Sequence, residues 1–534
     1  MKNLQLLLAI FAVHQISAQT VSLDANSIKA DFTSLDNSGY SPLFQRYEVP
    51  KDSGVTSIFS SSFWITGLDA GGNICASAAI YNKGSYANGP YGDSYNSTYH
   101  QRYDRAFKIT ANQIFHHRVH FADAGYQPVA AITDWPGNGK ASNHEANRLA
   151  PFVDVNGNGL YEPSIGDYPQ ICGDQAVFMI WRDDSTTVNR MPCSVSQFEY
   201  HLLAYAIHEP YTPFENTVLI HVEIFNRGLP LSQVRFSNML DMDLGCSDND
   251  RMGSLPGQNA CYVYNDEFLG NSCDNGNACL VGTNGYNCKK ITQGMTFLNH
   301  HLTSLMTFSR ANQTTNPAQG EPSGCGAIAN YQQSRWNDGT GVTYGGTGYG
   351  FSTTAVPWLF PGHPWDSTQW SERYPQIGPV INPGDRRMIA STFLGSFGSD
   401  SMKVIDMAYI TSLSDSTTNN FPEIRQLMKD IDVVQYYYNL GAICQLGTAV
   451  IDEEIASEIS IFPNPATQLI QIASPAEIDR ITIRDQQGRL LRLVMPSKQT
   501  ASMNVDDLQQ GIYIIQIYTQ KGNTSRLVAL GSTF

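Results

Sequence analysis

From Thr217 to Phe225 the chain alternates in strict period two, with Val218, Ile220, Val222 and Ile224 on one face and Leu219, His221, Glu223 and Phe225 on the other. Successive side chains of a strand leave opposite faces, so this pattern predicts a half-buried strand. Asn226-Arg227-Gly228 supplies turn residues and Val234 to Met239 starts a second strand. The pair predicts either a hairpin or a crossing from one sheet to another. Helical periodicity is scarce. Pro422 to Val434 carries it, with Pro422 in the first turn and Ile424, Leu427, Met428, Ile431 and Val434 along one stripe. Asn112 to His120 is a second candidate helix. Near the C-terminus, Arg480-Ile481-Thr482-Ile483-Arg484, the turn residues Asp485 to Arg489, Leu490-Leu491 and Gly511 to Ile515 read as short strands that fit a small immunoglobulin-like β-sandwich. No repeat of solenoid or propeller length is present.

The predicted fold is therefore mainly β, a large disulfide-containing β-rich ectodomain at residues 19–445, in one elaborate domain or two, followed by a small C-terminal sandwich at 459–534. Residues 446–458, with four acidic side chains, form the predicted linker. Met1 to Ala18 has Lys2, an apolar run from Leu6 to Val13, and Ser17-Ala18 before Gln19, the layout of a cleavable signal peptide. That run is too short to span a bilayer, and no later segment approaches the ~20 apolar residues of a membrane helix. The 534-residue chain carries a net charge of -15 with no basic cluster, which excludes nucleic acid as a partner.

Ten cysteines in an exported chain point to an oxidising compartment. Cys246, Cys261, Cys273, Cys279, Cys288 and Cys325 share a stretch poor in apolar groups, where disulfides would replace a missing local core. A zinc site is the competing reading, but no Cys-x-x-Cys pair supports it.

Phe462-Pro463-Asn464-Pro465, the Asp485 to Arg489 turn and Gly511-Ile512-Tyr513, in that order, resemble the C-terminal (type A) sorting domain of type IX secretion cargo in Bacteroidota. The resemblance implies passage through the periplasm, recognition by the outer-membrane translocon, and release or attachment at the outer cell surface. Several motifs of the large region resemble an uncharacterised Bacteroidota surface-protein family that carries the same tail. They are Phe63 to Asp69, Asp134-Trp135-Pro136, Pro151 to Gly159, Gly166-Asp167-Tyr168-Pro169, Trp336 to Thr340 and Gly384-Asp385-Arg386-Arg387. That resemblance implies surface export without a reaction or ligand.

Asp154-Val155-Asn156-Gly157-Asn158-Gly159-Leu160 places oxygen side chains at alternating positions, as in the first half of an EF-hand loop, so Ca2+ is the expected ion. The predicted ligands are Asp154, Asn156, Asn158, the Leu160 carbonyl, and Glu162 or Asp167. Ile165 stands where a bidentate glutamate would close the shell, so a weaker site is expected, and an ion-free Asn/Gly turn is the alternative. With a Kd of ~10⁻⁴ to 10⁻³ M, calcium near 1 mM would add only about 0.4 to 1.4 kcal/mol.

Asp241, Asp243, Asp248 and Asp250 form a second acidic cluster, open to three readings: catalytic carboxylates, a second cation site, or a solvated acidic loop. His116, His117 and His120 lack the glutamate of His-Glu-x-x-His and are read as packing or surface residues. Together these features predict an exported protein that binds a polysaccharide or cell-surface ligand. The alternative is a secreted glycan hydrolase drawing its carboxylates from Asp241, Asp243, Glu199 and Glu223.

Overall fold

The strand predicted from the clearest alternation, Thr217–Asn226, lies inside a nine-stranded antiparallel sheet between Phe198–Ala206 and Met402–Ser414. This large sheet continues on one side through Lys290–Phe297, Ala260–Asn265 and Asp250–Leu255. On the other it continues through Gln175–Asp183, which pairs with both Tyr86–Asn88 and Phe107–Thr110. In this computed structural model the described residues are 20–34, 43–80, 83–183, 193–194, 196–210, 212–245, 247–265, 286, 290–309, 314, 316–414, 421–445, 459–485, 490–519 and 522–531. The predicted signal peptide and linker, Cys246, Cys273, Cys279, Cys288 and the Asp248 side chain lie outside them.

The chain leaves the large sheet at Asn226 and enters a second, six-stranded sheet as Leu231–Asp241, between Ser60–Leu68 and Arg387–Phe397. Of the two structures allowed for this turn, the crossing is the one formed. Asn226, fully buried, holds it by donating through Nδ2 to the carbonyls of Leu229, Phe397 and Gly398 at 2.9 to 3.2 Å. The two sheets pack face to face. Val218, Ile220, Val222 and Ile224 meet Phe63, Ile65, Phe236 and Met388 in a core shared by both.

Each outer face is covered in turn. Leu219, Leu203 and Ile410 on the outside of the large sheet receive Ile424, Leu427, Ile431 and Val434 of the helix Pro422–Asn439. A Cβ added at Gly294 would lie 2.9 Å from Leu427, so the helix approaches the sheet where a side chain is missing. The helix runs past its predicted end at Val434, because Tyr437 is buried and the Tyr438 hydroxyl donates to Asp406 at 2.6 Å. On the far side, Trp64, Met306 and Ile389 of the small sheet pack against Ile328, Tyr331, Trp336 and Trp370. These tryptophans are core residues rather than binding platforms.

The C-terminal sheet is built on one long strand, Leu469–Arg484, with its own core of Ile470, Ile472, Ile481, Ile483, Ile515, Ile517 and Val528. Among the described residues two disulfides, Cys172–Cys444 and Cys193–Cys325, join distant segments of the main body. The cysteine-rich stretch needs one correction. Cys261, expected in a bridge, is a free thiol buried between strands, where burial pushes its pKa up to about 12.

Candidate functional site

The Asp154 loop curls around its first carboxylate. Asp154 accepts backbone N–H groups from Gly157 at 2.7 Å and from Gly159 at 2.6 Å, and the Gly159 contact leads in holding its pKa below the usual range. Both glycines have positive φ, 73° and 81°, which lets the chain bend tightly here. Asn156 and Asn158 accept from the N–H groups two residues on, and Asn158 donates to Glu162 at 2.5 Å. Asp167 sits elsewhere. It is fully buried, and its oxygens accept from Val155 and Glu162 N–H at 2.8 Å, clamping the base of the loop. His117, also buried, donates to the Asp167 carbonyl at 3.1 Å, so its helix, Ala111–His120, packs against the loop, while the His116 and His120 rings lie tilted against each other.

Asp241 ends the Leu231–Asp241 strand and has no exposed surface. Its Oδ2 lies 3.1 Å from Arg387, whose second nitrogen lies 2.6 Å from Asp385. Oxygens of Asp241, Asp243 and Asp385 fall within 4.8 Å of one another, the acidic trio among the described residues close enough to share a cation. Asp250 is buried nearby, and burial first, then the charge of Asp243, raises its pKa well above the carboxylate range. Asp241 and Asp250 of this cluster are thus buried rather than solvated, while Asp243 is half-buried. The signal was present in Gly384-Asp385-Arg386-Arg387, but 144 residues separate Asp385 from Asp241 in the sequence, and only the pairing of Leu231–Asp241 with Arg387–Phe397 joins them.

Glu199 and Glu223 belong to a different array. Glu199, His201, Glu223, His221 and Asp406 form a row across three neighbouring strands, because His201 faces Glu223 and His221 faces Asp406 in the sheet register. Glu199 contacts His201 at 3.0 Å and Arg227 at 2.7 Å, His221 contacts Asp406 at 2.7 Å, and Glu223 stands 3.9 Å from both histidines. Burial alone would raise Glu199, but His201 and Arg227 outweigh it and hold its pKa at about 2. Burial likewise opposes charging of His221, yet Asp406 and Glu223 push its pKa up to about 9.

These shifts set the pH dependence of stability. The Glu199 contribution is complete above its ordinary pKa of 4.5 and is lost as pH falls towards 2. The His221 contribution is complete below 6.5 and is lost as pH rises through 9. The unfolding temperature of His221→Gln should therefore fall less than that of the parent between pH 6.5 and 9, while both lose stability alike in acid. Parallel alkaline limbs in a thermal-melt series would refute this role.

A feature absent from the sequence reading is a cleft of about 580 Å³ beside the small sheet. Thr303, Ser304, Gln333 and Ser334 line it with hydroxyl and amide groups, and Phe393, 44% exposed, stands at its wall. Ser334 bonds to Ser304 and to the Pro357 carbonyl, both at 2.8 Å, which fixes the loop over the cleft. Another cavity of about 720 Å³ lies between the Pro422–Asn439 helix and Arg484, but its wall mixes Glu215, Asp430 and Asp432 with Lys429 and Arg484.

The C-terminal sandwich is of the class that directs a chain to export. Residues 460–529 match the secretion system C-terminal sorting domain, and the tail is a type IX sorting domain, with Bacteroidota implied. The chain is accordingly cargo for the cell surface or for secretion, and the tail implies contact with the type IX machinery. No helix among the described residues is long and apolar enough to cross a membrane. No curated protein matches the chain. Among solved structures, a polysaccharide lyase aligns at TM-score 0.23 and 7% identity over 97% of this chain and 46% of the lyase. A putative aldose 1-epimerase from Escherichia coli K12 aligns at 0.26 and 6%, over 74% of this chain and 100% of the epimerase. A putative kojibiose phosphorylase from human microbiome aligns at 0.28 and 5%, over 83% and 36%. The chain thus spans less than half of the lyase and of the phosphorylase, and scores this low define neither a shared fold nor an activity.

Proposed function

We propose that the exported protein binds carbohydrate at the cell surface or in the medium, through the cleft beside the small sheet. The observation that carries this reading is the cleft wall itself. Hydroxyls and amides suit sugar hydroxyls, and the exposed Phe393 ring offers an apolar face for a pyranose. By contrast Asp241 is sealed beneath Arg387, where it cannot reach a glycosidic oxygen. Retention of the full chain on immobilised polysaccharide should fall about two- to tenfold in Phe393→Ala, the range of one aromatic contact. Equal retention by the variant and the parent would sink this assignment.

A hydrolase is the second reading, and Glu223 is what favours it. It is a partly exposed carboxylate, 35% accessible, flanked by two imidazoles. Sugar released by the parent and abolished in folded Glu223→Gln would replace binding with catalysis.

The Asp154 loop is proposed to take Ca2+ through Asp154, Asn156, Asn158, the Leu160 carbonyl and Glu162, with Asp167 supporting the loop from beneath. A carboxylate already gathered by backbone N–H groups, with neighbouring amide oxygens, fits a hard cation. Calcium at 1 mM should stabilise the parent by about 0.4 to 1.4 kcal/mol over chelator. Asp154→Ala should show no such difference in urea unfolding. A calcium response retained by that variant would place the ion elsewhere.

A further inference from the structure

The cleft beside the small sheet carries a charge opposite to that of the protein. The whole chain has a net charge of -15, yet the wall contains two guanidinium groups, Arg235 and Arg335, and no carboxylate. Among the described residues the hydrogen bonds of both are to main-chain carbonyls, Arg235 to Gln233 at 3.2 Å and Arg335 to Gly339 at 3.1 Å. Other arginines of the chain do meet a carboxylate, among them Arg387, Arg227 and Arg484.

Both side chains are mounted on ordered elements. Arg235 follows a bulge in the Leu231–Asp241 strand, where Gln233 has φ 54° and the register shifts, and a bulge of this kind re-aims the next side chain. It faces Phe393 across the sheet, with its guanidinium 4.8 Å from the ring centre. Burial without a compensating anion lowers the Arg235 pKa. Arg335 lies on the segment that Gln332 and Ser334 tie down. Gln332, 1% exposed, donates to Ser237 at 2.9 Å and accepts from Thr66, and Ser334 bonds to Ser304.

Guanidinium groups recognise carboxylate and sulfate oxygens through paired N–H donors, and ordered ones lose little freedom in doing so. We propose that this cleft selects an anionic sugar unit of a polysaccharide, its acid group held by Arg235 and Arg335 and its ring set against Phe393. The inference rests on the carbohydrate-binding reading and adds the charge of the ligand. The acid group is a uronate carboxylate or a sulfate ester, which offer the same oxygens to the same donors.

The test uses the full chain in affinity electrophoresis through gels containing alginate, chondroitin sulfate or neutral dextran, at 50 and 500 mM salt. The parent should be retarded by alginate or chondroitin sulfate but not by dextran, with the difference between the two acidic polymers naming the acid group. Retardation should weaken at high salt. Arg235→Gln and Arg335→Gln should each weaken it about tenfold, and Arg46→Gln, which does not line the cleft, should not. Arg335 is exposed, so Arg335→Glu tests the charge even if Arg235→Gln fails to fold. Retardation by dextran alone would overturn the charge selection while leaving carbohydrate binding intact. Acidic-polymer binding unchanged in both Arg335 variants would overturn the site, and no retardation by any polymer would remove both readings.

Discussion

Arg387→Met should lower the unfolding free energy by about 3 to 5 kcal/mol, the usual result of removing one partner from a buried ion pair. Arg387 is 1% exposed and Asp241 fully buried, so water cannot replace the guanidinium without opening the end of the small sheet. The loss falls on two carboxylates, because Arg387 also contacts Asp385 at 2.6 Å. Asp243 lies close by and adds like charge. The measurement is urea unfolding at pH 7, followed by tryptophan fluorescence. Asp241→Asn in the Arg387→Met background should restore part of the stability by removing one stranded charge. A midpoint unchanged in Arg387→Met would show that the pair is solvated and that the cluster does not hold the strand ends together.

Loss of the Cys172–Cys444 bridge in Cys172→Ser/Cys444→Ser should cost about 2 to 5 kcal/mol. The bond spans 272 residues, and a long loop is the case in which a cross-link most restricts the unfolded chain. The native state is affected where Cys444 follows the helix Pro422–Asn439, whose buried face covers the outside of the large sheet. Amide exchange in that helix should accelerate more than exchange in Thr217–Asn226, which lies between two paired strands. Uniform acceleration would mean that the bridge acts through the unfolded state alone, and no change in stability would refute its structural role.

The cleft beside the small sheet places lesser demands on stability. Arg335 is exposed and Arg235 partly so, and substitution of Arg335 should be read in binding rather than in unfolding.

Local pattern was sufficient wherever a residue's environment depends on its near neighbours. Period two marked Thr217–Asn226, period 3.6 marked the helix from Pro422, and three ordered motifs marked the sorting domain at 460–529, because strand alternation, helix stripes and turn chemistry are written within a few residues. The turn at Asp154 is local in the same way, since the hydrogen bonds that the Asp154 and Asp167 carboxylates accept close within fourteen residues, from Asp154 to Asp167. Tertiary structure alone decided the rest. It chose the sheet crossing over the hairpin at Asn226, carried the helix on to Asn439, and left Cys261 as a buried thiol. It buried Asp241 and Asp250 of an acidic run whose pattern leaves three readings open, by pairing strands that bring Arg387 to Asp241. It also set Arg235 and Arg335 in one cleft, though 100 residues separate them. Charge and binding geometry depend on which distant segments share a sheet, and a local pattern holds no record of that pairing.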